Sequence, residues 1–460
     1  MVEASEKVDE KVHAMSTRTA PSSASDARTF LEMLGDDSLA VILECVMQVS
    51  ENGAGDIARV ACVCRRMRRL ASDHMRRTLQ LDLRPLGRRA RWAAPHLARR
   101  CKSLATIVCD GTNVTDENVT TLLAASEATL VRLSLADCRH LKNVHEHVFQ
   151  LSSTRLAEVN LKGSSWSPAA LISLLRSATG TLVALNLSST SLSHSSLKNG
   201  EDFGEVAQSI LNCRGLRRLH LGSPVDFVPA CLAKRLFTEL QRDSDSLDMN
   251  KNNGDGNRND PKRFTELEEL SLSRNGAADD VMLAVIARNC PALRTLDIRG
   301  SSITAAGVTS FAATALCAPR LRSLLMGGCD SLDDDSLTVV ASNMRSLEEI
   351  DLSMHQRVGP AGITALRRYC LNLQRLRISR NARITCETLA ELARGCQMQC
   401  ISAVRCRRAG EPALRRLRRE LRGDVSGENV GEREDNGTGK YNRESACHID
   451  WIGEDFHWNW

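Results

Sequence analysis

Apolar residues recur at a fixed spacing between residues 104 and 406, with polar residues between them. One apolar residue is followed by others at the third and fifth positions after it. The spacing occurs at eleven places: Leu104-Ile107-Cys109, Leu130-Leu133-Leu135, Leu156-Val159-Leu161, Leu182-Leu185-Leu187, Leu216-Leu219-Leu221, Leu267-Leu270-Leu272, Leu293-Leu296-Ile298, Leu321-Leu324-Met326, Leu347-Ile350-Leu352, Leu373-Leu376-Ile378 and Ile401-Val404-Cys406. Eight of the ten intervals are 26 or 28 residues, and the others are 34 and 51. The pattern predicts a repeated unit of one short strand and one return helix.

A period in the twenties with this spacing is typical of leucine-rich repeats, whose units bury their apolar faces by stacking on one another. We therefore predict an α/β solenoid, a leucine-rich-repeat horseshoe of about eleven repeats over residues 104–408. Aromatic residues are only 3% of the chain, so aliphatic side chains must fill its core.

Small or hydrogen-bonding residues stand three positions after the third apolar residue in nine units. These are Thr112, Cys138, Ser164, Thr190, Asn275, Ser301, Cys329, His355 and Asn381. We expect this slot to face inward and to satisfy backbone groups in the turn that leaves the strand. Cysteines also recur at the predicted helix ends, at Cys101, Cys213, Cys290 and Cys370. Because both sets follow the repeat, we interpret the cysteines as core residues and predict no metal site and no cofactor.

Side chains that alternate with the apolar positions point out of the core, so they form the concave surface. This surface is mixed in charge. In the later units an acidic pair borders a basic group, an arrangement that can orient a charged partner. The predicted target-binding residues are Asp297, Arg299, Glu349, Asp351, Arg375, Arg377 and Arg405.

The N-terminal part of the chain has a different pattern. Residues 1–28 lack periodicity and are predicted to be disordered. Residues 29–83 are predicted to form three short helices, the first two capped by Asp36 or Asp37 and by Asp56. So small a helical unit has a marginal core and usually completes it against a partner.

Two stretches of this helical unit resemble an F-box, Leu34-Gly-Asp-Asp-Ser-Leu-Ala-Val-Ile-Leu43 and Asp56-Ile-Ala-Arg-Val-Ala-Cys-Val-Cys-Arg-Arg-Met-Arg-Arg-Leu-Ala-Ser-Asp73. The repeats beyond are similar to the cysteine-containing leucine-rich repeats of F-box proteins. The resemblance implies docking onto the Skp-type adaptor of a cullin ubiquitin ligase. It assigns adaptor contacts to Leu34, Leu39, Ile42, Leu43, Ile57, Val60 and Val63.

The resemblance implies a substrate-recognition subunit of an SCF-type ubiquitin ligase, with the adaptor and cullin complex and a protein target as partners. We find no catalytic motif in the sequence and predict a non-catalytic subunit. The alternative is a leucine-rich-repeat scaffold without a ligase role. A third interpretation, nucleic-acid binding, comes from residues 57–102, which hold fourteen Arg or Lys against two Asp. We favour a solvated helix face or an acidic protein partner there.

The first thirty residues are charged and polar, and no run of eighteen apolar residues occurs, so neither a secretory signal nor a membrane span is predicted. We expect free thiols and a cytoplasmic or nuclear location. The remaining segments are a basic linker at 84–103, a disordered insertion at 243–262, a capping helix at 409–422 and a mostly disordered tail at 423–460 with an aromatic end.

Overall fold

The structure, a computed structural model, describes residues 79–101, 103–126, 128–141, 155–192, 201–223, 228–249, 264–329, 332–396, 398–406, 408–409 and 448–450. Within these residues the chain forms an open α/β solenoid. One sheet contains thirteen short strands, and every strand in it except the last pairs in parallel with its neighbours. The predicted solenoid is thereby confirmed.

The strands of this sheet are β1 (Gln80–Asp82), β2 (Thr106–Val108), β3 (Arg132–Ser134), β4 (Glu158–Asn160), β6 (Ala184–Asn186), β8 (Arg218–His220), β9 (Glu269–Ser271), β10 (Thr295–Asp297), β11 (Ser323–Leu325), β12 (Glu349–Asp351), β13 (Arg375–Arg377), β14 (Cys400–Ser402) and β15 (His448–Asp450). β5 (Ser165–Trp166) and β7 (Ser191–Leu192) form a second, two-stranded sheet. In the main sheet the middle residues of neighbouring parallel strands are in register, for example Leu296 with Leu324. Equivalent positions of successive units therefore lie in rows across the sheet.

Helices return the chain between strands. They are α1 (Ala90–Arg100), α2 (Asp116–Ser126), α3 (Pro168–Ser177), α4 (Glu201–Asn212), α5 (Val228–Met249), α6 (Asp280–Asn289), α7 (Ala305–Thr314), α8 (Asp334–Asn343), α9 (Pro360–Tyr369) and α10 (Cys386–Gly395), with short 3-10 turns at Arg84–Arg89 and Ala318–Arg320. Hydrogen bonds also connect the start of one helix to the helix of the preceding unit. Gly359 has no capping side chain, and Asp334 of the preceding helix accepts from the Gly359 N–H at 2.6 Å and the Gly362 N–H at 3.0 Å.

The core is the predicted aliphatic ladder, because the leucines and isoleucines of the repeated spacing are buried in every described unit. The inward slot behaves as expected in most units, but the buried side-chain amide of Asn381 has no hydrogen-bond partner among the described residues. Thr190 donates to the Leu161 carbonyl at 2.9 Å, and the Asn275 side-chain amide donates to the Leu221 carbonyl at 2.8 Å. These two bonds tie their turns to the preceding units, whereas Thr112 and Ser164 donate to the Cys109 and Leu161 carbonyls of their own units.

The structure corrects the boundary between the helical domain and the repeats. Gln80–Asp82 is the first strand of the sheet, and a 3-10 turn and α1 follow it. The range 84–103 is therefore part of a repeat and not a linker, and the helical domain cannot extend to residue 83. The repeated spacing did not predict this unit, because Thr78 stands where the other units have an apolar residue.

The last predicted unit is displaced by three residues. Ile401 pairs with Leu376 and is therefore the middle residue of its strand rather than the first of the triplet. Cys406 then occupies the inward slot, where its thiol donates to the Ile378 carbonyl at 3.0 Å. Arg405 consequently lies in the turn after the strand, not on the concave face of the sheet.

Two further ranges need correction. α5 runs to Met249 and so enters the range 243–262 predicted to be disordered, because its buried face with Leu236 and Leu240 anchors a helix that continues into polar residues. In the tail, residues 448–450 form β15, antiparallel to β14. The remainder of the insertion, most of the capping helix and tail, and residues 1–78 lie outside the described residues.

Candidate functional site

The concave surface is built from the residues on either side of each strand's middle residue. Its N-terminal half forms a groove of about 700 Å³ across β1 to β8. Two ion pairs lie in or beside this groove: Arg84 contacts Asp82 at 2.7 Å, and Arg218 contacts Glu158 at 2.9 Å across the intervening strand. The groove therefore presents a nearly balanced polar surface.

Five of the predicted target-binding residues lie on β10, β12 and β13 of the C-terminal half, whereas Arg299 and Arg405 lie in the turns after β10 and β14. Glu349 is only 1% exposed and lies between two arginines, with Arg375 at 3.5 Å and Arg377 at 3.4 Å. Ser323 also donates to Glu349 at 3.2 Å. The two guanidinium groups are 37% and 34% exposed, so they cover the carboxylate.

Asp297 and Arg299 form a second pair of the same kind. Arg299 donates from Nε and Nη2 to the two carboxylate oxygens of Asp297 at 2.9 and 2.8 Å. These hydrogen bonds to Asp297 outweigh the opposing effect of burial and raise the pKa of Arg299. Arg299 therefore keeps its charge at this surface.

The acidic members of the predicted set are not exposed, which corrects the expectation from strand alternation. Asp297, Glu349 and Asp351 lie on the concave side but are buried. Arg299 folds over Asp297, and Arg375 and Arg377 fold over Glu349, an effect that alternation does not represent. A partner that reaches this surface would meet guanidinium groups first.

The turns after the strands form a second row of positions beside the concave face. Four residues after the middle residue, the backbone enters the left-handed region in ten units: Gly111, Asp137, Gly163, Ser189, Arg274, Gly300, Gly328, Met354, Arg380 and Arg405. The sequence analysis missed this row. The recurring glycine directly before the inward slot was the signal that could have revealed it.

The buried thiols are not candidates for chemistry. Burial raises the pKa of Cys138 and Cys213 to about 11 and that of Cys370 to about 12. Such thiols stay protonated and are poor nucleophiles and metal ligands. Among the described residues, no group of three His, Cys, Asp or Glu side chains could hold a metal ion.

The predicted adaptor contacts Leu34, Leu39, Ile42, Leu43, Ile57, Val60 and Val63 all lie outside the described residues. They stay a prediction from the F-box resemblance. In the described part of the chain, each helix is too short or too polar to cross a lipid bilayer.

Comparison with known proteins gives a limited result. No family model and no curated protein matches the chain. Among solved structures it is similar to a chain of the Rad7 and Elc1 complex of yeast, at 17% identity and a TM-score of 0.49, over 86% of this chain and 96% of that one. It is also similar to an internalin from Listeria monocytogenes, at 15% identity and a TM-score of 0.40, over 80% of this chain and 94% of that one. The assignment of the fold rests on the strand register and the buried repeats described above.

Proposed function

We propose that this chain is the substrate-recognition subunit of an SCF-type ubiquitin ligase. Its F-box-like segment would bind the Skp-type adaptor, and its solenoid would hold a protein destined for ubiquitin-dependent degradation. The chain would contribute no catalysis of its own. It would raise the effective concentration of the target near the ubiquitin-conjugating enzyme. The proposed compartment is the cytoplasm or the nucleus.

One observation carries the proposal. The F-box-like sequence ends at Asp73, and the first strand of the solenoid begins at Gln80. An F-box-like sequence therefore directly precedes a long, charged surface. That order suits a receptor that must present its target at a defined distance from the adaptor.

Adaptor capture tests the proposal. We expect the full chain to be retained by an immobilised, purified Skp-type adaptor. Exchanging Leu39 and Ile42 for Asp should reduce retention at least about tenfold, because charged groups would enter an apolar interface. The matched control is Val281→Asp, which places the same charge at an exposed position of α6.

Retention of the Val281→Asp variant together with loss of the Leu39→Asp, Ile42→Asp variant would support the assignment. Failure of the wild-type chain to bind the adaptor would reject it. The alternative interpretation, a scaffold without a ligase role, would then account for the solenoid.

A further inference from the structure

The strand-end turns of the C-terminal half carry a strong excess of positive charge. The turns after β9 to β14 expose or half-expose seven arginines, which we call the basic turn surface: Arg274, Arg299, Arg357, Arg380, Arg383, Arg405 and Arg408. The described acidic residues of these turns are Asp279 and Asp333, which cap α6 and α8 by accepting from the Met282 and Ser336 N–H groups, and Asp330 is not described. The nearby carboxylates of the sheet are buried.

Two of these arginines lack a carboxylate partner among the described residues. Arg299 is bound to Asp297, and Arg383 lies 4.0 Å from Asp334. In the described part of the molecule, Arg274 and Arg380 have no carboxylate within 4 Å and are exposed. Uncompensated guanidinium groups on a surface favour an anionic partner and bind carboxylates with two parallel hydrogen bonds.

Between Arg274 and Met354 the row of left-handed turn positions carries two glycines, Gly300 and Gly328, which we call the glycine notch. A side-chain carbon at Gly300 would lie 3.4 Å from Cγ of Arg274, and one at Gly328 would lie 3.6 Å from the sulfur of Met354. Met354 is 50% exposed, an unusual exposure for a large apolar side chain in this solenoid. Glycines let another backbone approach closely, and the methionine offers that backbone's side chains an apolar contact.

The two flanking arginines are held in an unfavourable backbone conformation. Arg274 and Arg380 have φ values of 57° and 60°, where equivalent turns have Gly300 and Gly328. A non-glycine residue in this region costs about 1 kcal/mol or more. Glycine at both positions would relieve this strain, so the turn conformation does not itself require either arginine.

We infer that the basic turn surface binds an extended acidic peptide segment of a partner protein, with Asp or Glu residues on both sides of a central apolar residue. The central residue lies in the glycine notch against Met354, and the flanking carboxylates reach Arg274 and Arg380. Six strands at ~4.8 Å spacing give a surface of roughly 24 Å, which an extended peptide of about seven residues spans. The inference rests on the proposed receptor function, because it takes this surface as the target site.

Nucleic acid would also be attracted by arginine, but the surface lacks the groups that single-stranded nucleic acid usually requires. None of the turn residues after β9 to β14 is Phe, Tyr or Trp, so there is no ring on which bases can stack. The apolar notch, by contrast, offers a site for an aliphatic side chain of a peptide. The observations therefore favour a peptide.

The test measures fluorescence anisotropy of the full chain with three labelled probes at low and moderate salt. The first peptide has a central Leu flanked by Asp and Glu, the second replaces that Leu with Ser, and the third probe is a single-stranded polyuridine of similar charge. We expect the first peptide to bind most tightly, with affinity falling as salt rises. The Arg274→Gly, Arg380→Gly double variant should weaken its binding by about 5- to 25-fold.

Matched substitutions separate binding from folding. The double variant should melt at the wild-type temperature or above, because glycine relieves the left-handed turns. Ser189→Gly relieves the backbone strain at the equivalent left-handed position of an uncharged turn, and it should leave peptide binding unchanged. Arg380→Lys should keep only part of the affinity for the peptide. The lysine keeps the positive charge but lacks the planar guanidinium group that binds a carboxylate through two hydrogen bonds.

Three results would overturn the inference: no binding of the acidic peptide by the wild-type chain, equal binding by the double variant, or tighter binding of polyuridine that the same substitutions abolish. Adaptor capture by the double variant is measured in parallel and should be unaffected. If the adaptor is not captured by any chain but the peptide binds, the proposed ligase role fails and the peptide site stands.

Discussion

The turns after β2, β3, β4 and β6 and the turns after β9 to β14 share one backbone conformation and differ in chemistry. In both groups the chain leaves the strand through a left-handed residue, and slot residues such as Thr190 and Asn275 then bond to the preceding unit. In the N-terminal half the left-handed position is Gly, Asp or Ser. In the C-terminal half it is Arg at three positions, Met at one and Gly at two. The comparison shows that the backbone of these turns stays constant, which leaves the side chain at the left-handed position available for recognition. We call this shared turn, with its slot residue, the frame.

The prediction with the largest expected effect compares how much the slot residue stabilises the frame in each half. The His355 Nδ1 accepts from the Leu332 N–H at 3.2 Å, and its Nε2 lies 2.9 Å from the Met326 carbonyl. His355→Ala leaves both backbone groups buried and opens a cavity, so we expect a loss of about 3–5 kcal/mol. Thr190→Val removes one hydrogen bond at nearly constant size and should cost about 1 kcal/mol.

Urea denaturation of both variants, followed by circular dichroism, measures this difference. A His355→Ala variant as stable as wild type would show that the slot is not essential in the C-terminal half, and the shared frame would no longer explain both sets of turns.

The second prediction compares the ion pairs of the two halves. Glu349 is 1% exposed and bound by two arginines, whereas Glu158 and Arg218 are each about a quarter exposed. Glu349→Gln should therefore cost about 2 kcal/mol, and Glu158→Gln less than about 1 kcal/mol, because water screens the more exposed pair. Thermal unfolding in low and high salt checks this, since salt should weaken the Glu158 pair more. Equal costs for both variants would contradict the burial argument.

The smallest expected effect concerns the buried thiols, which should behave alike in both halves. Burial raises the pKa of Cys138 to about 11 and that of Cys370 to about 12. An unfolded thiol ionises near pH ~8.5, so the stabilisation is fully present below that pH and is lost as the pH rises through the folded values. Stability should therefore fall gradually above about pH 9.

Alkylation with iodoacetamide at pH 8, read by mass spectrometry, provides the check in the native protein. The exposed Cys231 should react, and the buried Cys138 and Cys370 should be protected to a similar degree. Rapid labelling of only one of the two buried thiols would indicate that one half of the solenoid opens more readily.

Most of the repeat architecture could be predicted because buried aliphatic residues recur at a fixed spacing. The first unit was missed where Thr78 replaces an apolar residue, and the last was displaced because Ile401 fits either of two positions in the triplet. These errors occur in the first and last repeats among the described residues, where the apolar positions depart from the regular spacing.

The candidate site was harder to predict than the fold. Strand alternation correctly assigned Glu349 to the concave side, but the packing of Arg375 and Arg377 over it depends on rotamers that no sequence pattern specifies. Arg274 and Arg380 were missed because arginine carries no preference for left-handed turns. Their position follows only from the glycines in equivalent turns.

The most direct test of the account is whether one chain bridges an adaptor and an acidic target. Purified full-length chain is mixed with the Skp-type adaptor and a carrier protein bearing the acidic peptide, and the mixture is separated by gel filtration with light scattering. The account predicts one complex that contains all three proteins. It predicts loss of the adaptor with Leu39→Asp and Ile42→Asp, and loss of the carrier with Arg274→Gly and Arg380→Gly. Elution of the adaptor and the carrier in separate peaks, with neither held by this chain, would contradict it.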